Sequence, residues 1–178
     1  QPEGNWASMH AWAPSGGAVE LDPGLGLRIR QGEQVILQMH YYESTGPVDD
    51  QPGYALKLNT TVERELYYAP IGPDGFVIPA GRRNYTATWD LSLLDFLGLP
   101  IDFDVYGVMP HMHLLGTAYD FTSIDSEGNE NCISRSEDFD FSSQPTYWFD
   151  DPVVVDGGGT LSVSCTYDNS ASNPNHSQ

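Results

Sequence analysis

Val108-Met109-Pro110-His111-Met112-His113-Leu114-Leu115-Gly116 is the stretch of this chain whose residue types and spacing can do chemistry. Two histidines stand two residues apart, with two methionines in or beside the same span. On a β-strand, side chains at i and i+2 point to one face, so His111 and His113 can approach one ion together. Neutral imidazole suits copper, zinc, iron or nickel, and thioether sulfur tilts the choice towards copper. Met112, on a regular strand, points opposite the two histidines. A pair of half-exposed strand histidines with no ligand would share the same short pattern.

The other titratable residues offer less. His40 closes the apolar run Val35-Ile-Leu-Gln-Met-His40, where a single histidine is more often a core or surface residue than a ligand. His10 sits between Trp6 and Trp12 and is expected to pack against them; His176 falls in a polar tail. Carboxylates cluster at Asp102/Asp104, Glu137/Asp138/Asp140 and Asp150/Asp151, but no cluster matches a calcium loop, so solvated acidic turns are the expectation. No spacing selects a carboxylate pair for glycoside hydrolysis. Phosphate-binding glycine loops and Gly-x-Ser-x-Gly elbows are absent from the sequence.

These residues must be positioned by short strands. The 18 glycines and 13 prolines suit frequent turns, and no long 3.6-residue periodicity runs through the chain. Alternation or β-branched and aromatic content predicts strands over 25–30, 35–42, 54–58, 60–68, 85–91, 101–113, 119–124, 131–136, 152–155 and 160–167. Hairpins are expected between the first two, around Asp125–Asn129, and around Asp156–Gly159. Pro110 should break or bend the strand that carries the histidines. Residues 93–99 read as one helical turn or an irregular loop that ends at Gly98 and Pro100. The expected class is an all-β sandwich.

Composition narrows the partners. A hydrophobic share of 39% supports a packed core rather than disorder. Seven basic residues against 25 acidic ones give a formal charge of −18, a surface that repels nucleic acid and anionic lipid. No apolar run approaches the roughly 20 residues that span a bilayer. Gln1 to Asn5 carry no signal-peptide pattern, so any such segment is expected to be removed or to lie outside this sequence. Asn59, Asn84 and Asn175 have the N-glycosylation acceptor pattern, which matters only in a eukaryotic secreted protein. A bridge between Cys132 and Cys165 would close a loop worth on the order of 3–4 kcal/mol. Sequence leaves that bridge open against partners elsewhere; an extracellular setting favours it.

Several segments, in order, resemble the type II copper, ascorbate-dependent monooxygenases, the family of the peptidylglycine α-hydroxylating and dopamine β-hydroxylating enzymes and their bacterial relatives. The segments are Trp12-Ala-Pro14 with Pro23-Gly24, Leu37-Gln38-Met39-His40-Tyr41, Ile78-Pro79-Ala80-Gly81, Pro110-His111-Met112-His113-Leu114-Leu115-Gly116, Asp138-Phe139-Asp140-Phe141-Ser-Ser-Gln144, and Cys165-Thr-Tyr167-Asp168-Asn169-Ser170 with Asn173-Pro174.

The resemblance implies two jelly-roll β-sandwich domains, each with one copper. Residues 1–48 would then be the last part of the first domain, and 49–178 a second domain carrying the His-x-His site. By the same resemblance His40 is a ligand of the electron-transfer copper, while His111 and His113 are two ligands of the O₂-binding copper. Ascorbate would feed electrons for C–H hydroxylation of a small-molecule or peptide substrate. A secreted, periplasmic or cell-surface location goes with that chemistry.

The chain departs from the family in three places. It has no His-His pair for the electron-transfer site, and the methionine ligand falls in a segment it does not reach. Met109 stands two residues before His111, where the peptide-amidating enzyme has a basic residue for its substrate carboxylate, so peptide amidation is not implied. Two further readings stay open: a non-catalytic secreted or cell-surface binding module, and a zinc or iron site using the two histidines and a carboxylate.

Overall fold

In the computed structural model the described residues are 7–13, 16–39, 41, 46, 49–72 and 75–175. The chain divides into two compact units, residues 1–9 with 19–68, and residues 10–18 with 69–178. Two-residue strands β1 (Leu25–Gly26) and β2 (Arg64–Glu65) pair in parallel in the first unit. The strand expected over 25–30 thus shrinks to its first two residues. Residues 35–39 form no strand, and Ile36 stands 63% exposed. The expected hairpin between those two runs is not formed among the described residues. Apolar, β-branched composition makes a segment fit for a sheet, but a strand persists only where a neighbour takes up its backbone groups.

The second unit is antiparallel β. Its strands are β3 (Tyr85–Ser92), β4 (Phe103–Val108), β5 (Gly116–Ile124), β6 (Glu130–Ser136), β7 (Tyr147–Val155) and β8 (Thr160–Tyr167). One sheet has the order β3-β8-β5-β6 and the other pairs β4 with β7. Alternation explains the larger sheet. Tyr85, Ala87 and Leu91 lie opposite Tyr167, Cys165 and Leu161 on the inner face. Between them, outward, Thr86 bonds Thr166 hydroxyl to hydroxyl at 3.0 Å and Thr88 bonds Ser164 at 2.9 Å. These cross-strand pairs give the register a polar clamp on the wet side.

The two sheets meet over a core of Leu93, Ile133, Val155 and Leu161, joined by Phe103 and Val105 from β4. A second cluster, of Ala87, Met112, Cys165 and Tyr167, fills the end of the sandwich nearest the histidines. The all-β sandwich expected from sequence is therefore the fold observed.

Connections account for the remaining differences. The hairpin around Asp125–Asn129 forms as expected, with β5 and β6 paired. The one expected around Asp156–Gly159 does not, because β7 belongs to the small sheet and β8 to the large one. This loop crosses between sheets so closely that a Cβ on Gly157 would sit 2.1 Å from the Ile101 carbonyl oxygen. Only glycine fits there. β7 starts at Tyr147 rather than Pro152; Pro152 falls inside the register shift between Val105 and Gly107, where a proline breaks no ladder bond. Helix α1 (Leu93–Leu97) is capped by the Ser92 hydroxyl, which accepts from Asp95 N, and ends at Gly98 in the left-handed region at φ 73°.

Both cysteines are free, so the bridge that the sequence left open is not formed in this structure. Cys165 on β8 faces Tyr119 of β5, whereas Cys132 on β6 faces Thr122 across β5's other edge. Two strand spacings of about 4.8 Å each hold them beyond the roughly 7 Å Cα separation that a disulfide tolerates. Burial pushes the Cys165 thiol pKa up, which favours the protonated thiol.

Candidate metal centre

The histidine pair is not on a strand. β4 ends at Val108, and residues 109–113 run on without regular secondary structure towards β5. Pro110, which has no N–H to give a neighbour, lies just past that end. The strand expected through His113 therefore stops short of the histidines, yet the alternation persists. Met112 is buried in the core cluster at 3% exposure, while His111 and His113 stand exposed on either side of it. Met112 thus points away from the histidines, as expected.

Three anchors hold this segment. A turn closes it, with Gly116 N donating to the His113 carbonyl at 2.8 Å. The residues after β8 brace that turn: Asp168 N donates to Leu115 O at 2.9 Å, and the Asn175 side chain donates to Leu114 O at 3.2 Å. The third anchor is close packing. A Cβ on Gly116 would stand 2.7 Å from Met112 Cβ and 3.0 Å from its sulfur, so the start of β5 leaves Met112 its place.

The imidazole rings of His111 and His113 lie edge to face, with centroids 5.2 Å apart. His111 Nδ1 is 2.8 Å from Oε1 of Gln144, a side chain only 2% exposed. The other end of that amide, Nε2, donates to the Phe141 carbonyl at 2.7 Å. The Phe141 ring in turn meets His113 edge on, with centroids 6.3 Å apart. One loop between β6 and β7 therefore contacts both histidines. The loop is shaped locally: Ser142 N and Oγ both bond the Asp140 carboxylate, at 2.9 and 2.6 Å, and these bonds hold that carboxyl below its usual range. Phe139 N fastens it to Thr117 O at 2.9 Å.

Sequence reasoning singled out the histidines and missed Gln144. The only signal was its place at the end of the segment Asp138–Gln144. His40 and His176 lie outside the described residues. His10 is exposed, and the ring contacts it was expected to make with its tryptophans are not observed among the described residues; Trp12 instead donates its Nε1–H to Gly16 O at 2.7 Å. Among the described residues no group of three or more His, Cys, Asp or Glu side chains converges as a metal site. What the arrangement offers is two imidazoles on one exposed side, a donor set suited to a borderline or soft ion.

No helix among the described residues is long and apolar enough to cross a membrane. No curated protein sequence matches the chain. The family model for the copper type II ascorbate-dependent monooxygenase C-terminal domain matches residues 79–176, which is more than half of the chain and includes β3 to β8, the His-x-His segment and Gln144. The chain belongs to the copper type II ascorbate-dependent monooxygenase family, through that family's C-terminal domain.

Proposed function

We propose that the protein is a copper monooxygenase in which this chain provides the His-x-His centre, with His111 and His113 as two copper ligands. The supporting observation is that these histidines project together from the exposed side of a segment whose intervening Met112 is locked into the core. Bound copper would supply one-electron redox chemistry, between Cu(I) and Cu(II), for hydroxylating a substrate C–H bond with O₂ and ascorbate. The chain's own part is to hold two imidazoles at fixed separation and to keep Met112 out of the way.

The remainder of this reading rests on the family. His40 would serve the electron-transfer copper. Residues 1–48 and 49–178 would belong to successive jelly rolls; the uncovered Ile36, Leu37 and Met39 suit a segment taken from a larger domain. The substrate is a small molecule or a peptide; the charge of −18 disfavours nucleic acid as a partner. Secretion, or a periplasmic or cell-surface location, completes the proposal.

Copper titration and oxygen uptake test it. The chain should bind one Cu(I) at this centre, and His111→Ala or His113→Ala should abolish that stoichiometric binding while the fold persists by circular dichroism. The protein expressed from its whole gene should consume O₂ with ascorbate. A copper-free, inert whole protein would leave the competing reading, a non-catalytic secreted or cell-surface module. That alternative draws on the two-histidine donor set, to which no further His, Cys, Asp or Glu ligand is added among the described residues.

A further inference from the structure

We propose that Gln144 is the positioning residue of this centre: its amide fixes the tautomer of His111 so that Nε2 is the nitrogen presented to the metal. The inference rests on the copper reading of His111 and His113, and adds which side chain aims the His111 ring.

The argument follows polarity from the loop outwards. The Phe141 carbonyl can only accept, so the Gln144 atom 2.7 Å from it is the NH₂ end. That leaves Oε1 as the end 2.8 Å from His111 Nδ1. Oε1 also can only accept, so Nδ1 carries the proton of the neutral ring, and the lone pair lies on Nε2. Reversing the amide would set Oε1 against the Phe141 oxygen and the NH₂ against Nδ1, giving up a bond that a group 2% exposed has no solvent to replace. Direction is thus imposed by a backbone carbonyl 30 residues along the chain from the histidine it serves. Partners that hold the second nitrogen of a ligating histidine set its orientation and raise its basicity. The same Phe141 that orients Gln144 packs its ring on His113, so one residue steadies both imidazoles.

A purely structural Gln144, which merely fastens its loop, would not affect the tautomer or the metal. The decisive measurement is a long-range ¹H–¹⁵N correlation spectrum of the labelled, metal-free chain at about pH 8, above the ordinary imidazole pKa of about 6.5. His111, assigned by comparison with His111→Ala, should appear as the Nδ1–H tautomer. Adding diamagnetic Cu(I) should displace its Nε2 resonance while Nδ1 keeps its proton. Gln144→Leu should shift His111 towards the Nε2–H form and weaken Cu(I) binding by about 10–100-fold. Gln144→Glu keeps an acceptor towards Nδ1 but loses the donor to the Phe141 carbonyl, so the Nδ1–H tautomer should persist while the loop anchor weakens.

An Nε2–H tautomer in the metal-free wild-type chain overturns the proposal even if copper binds. A folded Gln144→Leu variant with wild-type affinity does the same. Should that variant fail to fold, the wild-type tautomer and its response to Cu(I) decide alone. An Nδ1–H tautomer in a chain whose histidines take no Cu(I) sinks the copper reading instead, and the positioning role with it.

Discussion

Met112 and Gly116 work as one unit at the residue scale. Burying Met112 forces His111 and His113 outwards, because neighbours in an extended segment alternate sides. Its burial in turn needs the open space over Gly116, where an added Cβ would meet Met112 Cβ at 2.7 Å and Cε at 3.1 Å. The first of these neighbours is fixed to the backbone and cannot swing aside. Gly116→Ala should therefore cost about 1–3 kcal/mol, the usual range for overpacking. It should also weaken copper binding, since the displaced segment carries both ligands. Urea unfolding and Cu(I) titration check the two effects; an unchanged midpoint would show that the contact is soft. The His-Met-His pattern is readable at this scale because alternation needs only local spacing. Gln144 was not: it joins His111 across 33 residues, and nothing local to either marks the pair.

Elements were readable from sequence where both the pattern and a partner exist. Residues 85–92 and 160–167 each alternate, and they pair along their full length with matched inner and outer faces. Residues 35–39 carry as much strand composition and form none, since period reports only what a segment can bury. At Asp156–Gly159 the turn residues mark a reversal without saying which sheet receives the next strand, so a crossover stands where a hairpin is expected. Loops at this end of the sandwich carry a pH response of their own. Hydrogen bonds from Asn129 to Asp125, and from Ser126 and Gly158 to Asp156, hold both carboxyls below the usual carboxylate range. A lowered folded-state pKa means that the ionised form stabilises the fold. That contribution is complete above the unfolded value of about 4 and is lost as pH falls through the lower folded values. Melting temperature should change little between about pH 5 and 7 on their account and drop in more acid solution. Protonation also relieves the repulsion of a chain at −18, so the comparison must be with Asp125→Asn/Asp156→Asn, which shares that relief. The double variant should lose less stability than the wild type as pH falls below the unfolded value of about 4. Parallel pH profiles would show that the two carboxylates do not contribute.

For the whole molecule, the distribution of bonds within each unit sets which parts open first. β8 is paired along both edges, with β3 and with β5, and its inward residues Leu161, Cys165 and Tyr167 are buried. Opening its amides means breaking two ladders and exposing the core, so their exchange should follow global unfolding. In the first unit the only regular pairing among the described residues is β1 with β2, two residues each. It is extended by Glu63 N to Gly24 O at 2.8 Å and Leu66 N to Gly26 O at 2.7 Å. Around it Ile36, Leu56 and Leu58 expose their apolar side chains, and little burial opposes local opening. Hydrogen exchange should accordingly rank β8 slowest, then β3 and β5, with residues 27–39 and 49–62 exchanging near their intrinsic rates. A protease at low concentration should cut in those fast segments and leave a resistant product containing residues 79–175. Protection of residues 33–39 equal to that of β8 would mean that the first unit has a core of its own. The expected ranking instead ties the stable part of the chain to the family-matched region, where the two histidines and Gln144 are anchored.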